Sequence, residues 1–352
     1  MGCFGKTKHM QKFTIEYTFS SKKIVIFLNK DGYVRFSYDN QLRNQVSGLI
    51  DEAADMYRNK FYREFESIMD NIKAVALMKK HLSEKLISIF ENELEIVYIP
   101  AERSLLATMS EQLQDVSVDE MDLTMQEFIL LIRSTKNRFE SKIPEMVMDY
   151  TRTVKGQINN SALGHAYDLI KRILKADYTS ESDGEKVYFD SHRWVKLMYG
   201  SSGQQEALWI LMLIYIVILE KKKTFLVIEE PEAHLFPNAQ KDMISLISLM
   251  VNTTGSKVVI TTHSPYILTS TNILLYSEKV EGGRLKNRTV VIPKNLRISF
   301  DSFAAYKVGN FKTSVESLMD EESHMINTDY IDEVSEITNK ELDDLIEMEI
   351  QG

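Results

Sequence analysis

Residues 225–235 read FLVIEEPEAHL: four apolar residues run into two adjacent carboxylates, Glu229 and Glu230, and then into Pro231. The apolar run is a strand and the proline ends it. With this one at 224–228, strands are expected at residues 187–189, 257–261 and 272–276, interleaved with helices at 204–219 and 238–251. Strands alternating with helices imply a parallel sheet with helices on its faces. Ligands of such sheets gather outside the carboxyl ends of the strands, where Glu229 and Glu230 fall. Two acids at that position can divide two jobs, Glu229 reaching a Mg²⁺ ion and Glu230 orienting or deprotonating a water. A buried strand with an acidic turn is the plainer alternative.

The remainder of the chain reads differently. Residues 12–19, 23–28 and 32–38 alternate apolar and polar side chains between short polar breaks, which fits an antiparallel meander. Residues 41–90 turn helical and charged, and 94–99 are a strand stopped by Pro100. From 105 to 176 the periodicity is helical throughout, so a helical insertion is expected there. Acidic residues crowd the end, including Glu341, Asp343, Asp344, Glu347 and Glu349, as in a peripheral amphipathic helix or a disordered tail. The expected division is 1–104, 105–176, 177–319 and 320–352.

Composition narrows the class. With 44% hydrophobic and 26% charged residues, the chain is an ordinary globular one. A net charge of -9 argues against a broad basic surface for nucleic acid, leaving room only for a local patch. The single cysteine, Cys3, permits no internal disulfide, and no cleavable signal pattern is visible, so a cytoplasmic location is expected. Lys6 stands where N-myristoylation needs Ser or Thr. The uncharged run at 207–219 is short of a bilayer span and reads as a core helix.

Two more segments bear on chemistry. Residues 257–266, KVVITTHSPY, form a strand ending near His263, which should stand at the same sheet edge as Glu229 and Glu230. A neutral imidazole there can hydrogen-bond a phosphate or a water, although a histidine after a strand is commonly structural. Upstream, residues 199–206 read YGSSGQQE, a small-residue turn opening an apolar helix. Ser202 and Gly203 would present backbone N–H groups to an anion. The alternative is an N-cap at Ser201 or Ser202 with Gln205 completing a capping box.

In order and spacing, Ser201-Ser202-Gly203-Gln204-Gln205, the strand ending in Glu229-Glu230-Pro231, and Thr261-Thr262-His263-Ser264-Pro265 resemble the C-terminal half of ABC-type ATPase heads. Within the SMC, RecF and OLD-like group, the version EEPEAHL, with Pro237 just beyond, is closest to the OLD-like and RecF-like ATPases, and residues 98–104, YIPAERS, resemble a further segment of those proteins. The resemblance implies an α/β fold, an ABC-ATPase-like mixed sheet with a parallel core, N-terminal antiparallel strands and a helical insertion. It implies ATP and Mg²⁺ as ligands, Glu230 as the catalytic glutamate, His263 as the switch histidine and Glu229 at the metal. It also implies Ser201, Ser202, Gly203 and Gln204 as a signature motif acting on ATP held by a second head, with Arg103 near the nucleotide. A homodimer of heads, a separate nuclease or effector chain, and roles in DNA transactions or phage defence follow from the same likeness.

One feature departs from it. A phosphate-binding loop needs G-x-x-x-x-G-K-[ST] between a strand and a helix. Gly5-Lys6-Thr7 is the only Gly-Lys-Thr, and it leaves no room for the preceding strand or the following helix. The expectation is therefore a head without its phosphate loop, which binds ATP weakly or not at all. A non-hydrolysing dimerisation or docking module is the rival reading, and a DNA-binding protein without enzymatic function is a third.

Overall fold

The structure, a computed structural model, describes residues 13–61, 68–101, 103, 121, 123–153, 159–281, 291–308, 315–328, 337–343, 345, 346 and 348. Gly5-Lys6-Thr7 and Cys3, residues 104–120 of the expected insertion and its flank, and Asp344, Glu347 and Glu349 of the tail lie outside them. The chain divides into two compact units, residues 1–93 and 94–352.

In the first unit, β1 (Thr14–Phe19), β2 (Lys22–Leu28) and β3 (Val34–Tyr38) form the expected antiparallel meander. Two helices follow, α1 (Asn40–Phe61) and α2 (Ile68–Phe90). Asp39 starts α1: its carboxylate accepts from Leu42 N at 2.8 Å and from Lys23 N of β2 at 2.5 Å. Those backbone donors, Leu42 first, hold the Asp39 carboxyl below its ordinary pKa. Buried Lys22 ties the end of α2 to the sheet by donating to Ile89 O at 2.6 Å.

The second unit is built on a parallel sheet in which β8 (Thr224–Glu229) is central, with β4 (Glu95–Ile99) on one side and β9 (Lys257–Thr261) on the other. Before β8 come α3 (Leu123–Lys136), α4 (Ile143–Thr153) and α5 (Asn160–Leu174). An antiparallel trio, β5 (Asp177–Glu181), β6 (Gly184–Tyr188) and β7 (Trp194–Lys196), leads into α6 (Ser202–Glu220). The helices α7 (Pro237–Thr254) and α8 (Pro265–Glu281) follow β8 and β9. The fold class is thus α/β, with a parallel core and antiparallel strands at the N-terminus.

Helix α6 shows why the core forms here. Every residue from Glu206 to Leu219 is buried, so an all-round apolar sequence meets protein on every side. By length and composition it could cross a bilayer, but 83% of its apolar window is buried within the chain. Phe128, Ile129 and Ile132 of α3 and Ile143 and Met146 of α4 belong to the same core as Trp209, Leu226 and Ile228. The described helices of the expected insertion therefore have no separate core of their own.

Two expectations are corrected. Residues 272–276 are not a strand but the middle of α8, because a short apolar run carries no periodicity that separates strand from helix, and Pro265 supplies a helix start. Residues 187–189 overlap β6, which pairs antiparallel with β5 and β7 and takes no part in the parallel sheet.

Beyond β9, side chains of α7 and α8 grip the backbone of the C-terminal residues. Ser248 donates to Leu296 O at 2.8 Å, and Asn252 donates to Asn295 O at 3.0 Å and Arg297 O at 2.8 Å. Asn272 exchanges two hydrogen bonds with Ile326, giving one to its carbonyl at 2.9 Å and taking one from its N–H at 2.7 Å.

Candidate functional site

Parallel register brings the ends of β8 and β9 level. Glu229 stands opposite Thr261, and Glu230 N donates to Thr261 O at 2.9 Å. His263, two residues beyond β9, places its Nε2 3.8 Å from Glu230 Oε1. Both groups face solvent, the histidine side chain 89% exposed and the glutamate 42%. The sequence-predicted pair is thus brought together, too far apart for a hydrogen bond and close enough for each to meet one ligand atom.

The two adjacent carboxylates have different surroundings. Glu229 is tied down, accepting from Tyr98 Oη at 2.6 Å and from Ala101 N at 3.0 Å. Glu230 accepts no hydrogen bond on its carboxylate among the described residues, leaving both oxygens open to water. The backbone turns sharply after β8, with Glu230 at φ 43° and, four residues on, His234 at φ 56°. Such left-handed values cost a non-glycine residue about 1–2 kcal/mol and persist where surrounding contacts enforce them.

Arg103 is a large part of that enforcement. Its guanidinium donates to Glu229 O at 2.6 Å, Glu230 O at 2.8 Å, Pro100 O at 2.5 Å and Glu206 O at 3.4 Å. The residue is fully buried. Burial lowers its pKa, and the charges of Glu206, Glu230, Glu232 and Glu229 oppose that shift. Sequence reasoning placed Arg103 beside a nucleotide. The structure turns it inward to four carbonyls, holding the β4 end, the β8 end and α6 together.

The turn before α6 is largely self-contained. Ser201 is the N-cap, accepting from Gln204 N at 3.3 Å, while Gln204 Oε1 accepts from Ser201 N at 3.1 Å. The capping box is therefore completed by Gln204, one position before the expected Gln205, since the N3 side chain is the one that reaches back to the N-cap. Gln204 Nε2 also donates to Leu174 O at 2.7 Å, and Gln205 Nε2 donates to Met198 O and Gly200 O, each at 3.0 Å. Ser202 alone keeps an exposed hydroxyl without a partner among the described residues. Gly203 is buried against the turn that follows β8: a Cβ there would lie 2.6 Å from His234 O. His234 in turn places Nδ1 3.0 Å from Glu206 Oε1.

Glu232 was missed by the sequence reading. Its Oε1 accepts from Thr262 Oγ1 at 2.6 Å and from His263 N at 3.0 Å, joining the two strand-end turns. Its Oε2 is buried with no partner among the described residues. The available signal was an acid two residues past Glu230 and a hydroxyl immediately before His263.

No group of three or more His, Cys, Asp or Glu side chains converges on a metal position among the described residues. The adjacent carboxylates of Glu229 and Glu230 match in number what Mg²⁺ takes from a protein when phosphate oxygens and water complete its octahedron. Glu229 is the oxygen donor best fixed in place for it, and Glu230 stands free beside it.

A search of the curated proteins finds no match to this chain. The AAA ATPase domain family matches residues 3–268, a span that takes in the β8 and β9 ends, the Ser201–Gln204 turn and Arg103. The chain belongs to the AAA ATPase domain family.

Proposed function

We propose that this ATPase is a head of the ABC type, related to the SMC, RecF and OLD-like group, in which Glu230 and His263 act on the terminal phosphate of ATP. The observation that carries the reading is their approach to 3.8 Å at the carboxyl edge of a parallel sheet. Glu230 is the general base: it takes a proton from water as the water oxygen bonds to the γ-phosphorus and the bond to the β–γ bridging oxygen breaks, giving ADP and phosphate. His263, exposed beside it, hydrogen-bonds a γ-phosphate oxygen. Mg²⁺, when bound with ATP, neutralises charge on the β- and γ-phosphates. Glu229 would hold it on this edge, its own orientation fixed by Tyr98 and Ala101.

The α6 turn serves a second copy. The Ser202 hydroxyl and the N–H groups at the start of α6 donate to ATP held by the other head, in a homodimer whose opening and closing follow the nucleotide. Ser201 and Gln204 contribute by shaping that turn, their side chains being engaged with each other. A cytoplasmic switch working with a separate nuclease or effector, in DNA transactions or phage defence, is the setting this relationship suggests.

Calorimetry with Mg-ATP and a phosphate-release assay test the reading together. Weak binding is expected, and Glu230→Gln should lower phosphate release by about a hundred- to ten-thousand-fold while leaving binding intact. Release that survives Glu230→Gln overturns the assignment. Tight binding abolished by Lys6→Ala would give the phosphates to Gly5-Lys6-Thr7, and binding without any release would favour the docking module.

A further inference from the structure

We propose that Glu232 is a positioning residue that fixes His263 beside Glu230, so that the turns after β8 and β9 move as one body. The roles of Glu230 and His263 rest on the preceding section; the coupling rests on geometry alone. The His263 imidazole is 89% exposed and accepts or donates no hydrogen bond among the described residues, so its place is set by its backbone. That backbone is held by Glu232, whose Oε1 accepts the His263 N–H at 3.0 Å and the Thr262 hydroxyl at 2.6 Å. Thr262 Oγ1 in turn accepts from Ser264 N at 3.0 Å, which closes the turn around His263.

A second hold comes from the same stretch of chain. Ser264 Oγ donates to Gln240 Oε1 at 2.6 Å, and Gln240 Nε2 donates to Leu235 O at 2.8 Å. Among the described residues, the side-chain hydrogen bonds that reach residues 262–264 from outside that turn thus come from Glu232 and Gln240, in the segment that follows Glu230.

The buried, unpartnered Oε2 of Glu232 is the second observation. A carboxylate removed from water with one oxygen unsatisfied opposes folding, and such groups need an account other than stability. A neutral acceptor would make the same two hydrogen bonds more weakly. A charged one holds the His263 amide with a charge-assisted bond, roughly twice as strong as a neutral pair.

The test follows the His263 backbone amide by NMR hydrogen exchange on the full chain, alongside phosphate release from Mg-ATP. Glu232→Ala should speed exchange of that amide about tenfold, the effect of losing one hydrogen bond to a charged group. Glu232→Gln, whose amide oxygen still accepts both bonds, should stay within about threefold of the parent. In phosphate release, Glu232→Ala should lower kcat about tenfold with KM unchanged, Glu232→Gln should restore most of it, and Glu232→Ala should have no further effect in a His263→Ala background. Unchanged amide exchange in Glu232→Ala overturns the proposal, as does a loss of kcat that is equal with and without His263.

Should the parent chain release no phosphate, the proposed function fails and the exchange measurement still decides the role of Glu232. Should Glu232→Ala not fold, Thr262→Val takes its place. By freeing the turn beside His263, it should speed exchange of the same amide about threefold, and an unchanged rate overturns the coupling.

Discussion

The turn before α6 and the turn after β8 meet at Gly203 and His234, yet they are held in opposite ways. Residues 199–205 largely hold themselves: Ser201, Gln204 and Gln205 direct polar atoms to backbone within the turn or just beside it, and one bond, from Gln204 to Leu174 O, leaves it. Residues 229–235 are held from outside, by Arg103 on two carbonyls and by Tyr98 and Ala101 on Glu229. A helix start needs only local donors and acceptors, and its sequence can supply them. A turn with two non-glycine residues at positive φ needs distant parts of the chain to enforce it. The first turn therefore tolerates change elsewhere, and the second depends on it.

Arg103→Ala breaks the contrast most strongly. It removes a charged donor from four carbonyls and opens a cavity beside the β8 end, so stability should fall by about 3–5 kcal/mol in denaturant unfolding. Arg103→Lys should recover little, because one ammonium cannot reproduce a planar fork. Gly203→Ala attacks the contact between the two turns: its methyl meets His234 O, and unfolding should show a loss of about 1–3 kcal/mol. Ser201→Ala removes the self-made cap and should cost about 1 kcal/mol by the same measurement, without disturbing the residues after β8. Ser202→Ala sharpens the comparison from the other side. Having no partner to lose among the described residues, it should leave stability within about 0.5 kcal/mol while lowering phosphate release.

The parallel core was legible because its signals are local. Apolar runs at 224–228 and 257–261 stop at charged or polar residues, and the observed strands are Thr224–Glu229 and Lys257–Thr261. The nearness of Glu230 and His263 followed from strand direction alone, since parallel neighbours end at the same edge. What escaped notice depends on partners distant in sequence. Nothing near Arg103 announces that its guanidinium meets carbonyls of Glu229 and Glu230, and nothing near Glu232 announces Thr262. The run at 272–276 was misread because five apolar and polar residues cannot separate strand from helix, and the helix that contains them starts seven residues earlier, at Pro265.

Helix α6 also has a mechanical side. At its first turn Gly203 rests directly on the His234 carbonyl, with no side-chain atoms between to absorb a displacement. The 19-residue helix is a closely clasped rod of about 28 Å, at roughly 1.5 Å per residue. At its far end Glu220 pairs with Arg138, just past α3. A shift of the turn that carries Glu230 therefore has little slack to cross before it loads the Arg138 pair. The backbone seam at Gly203 and the Arg138 pair thus tie α6 at one end to the turn after β8 and at the other to the residues just past α3.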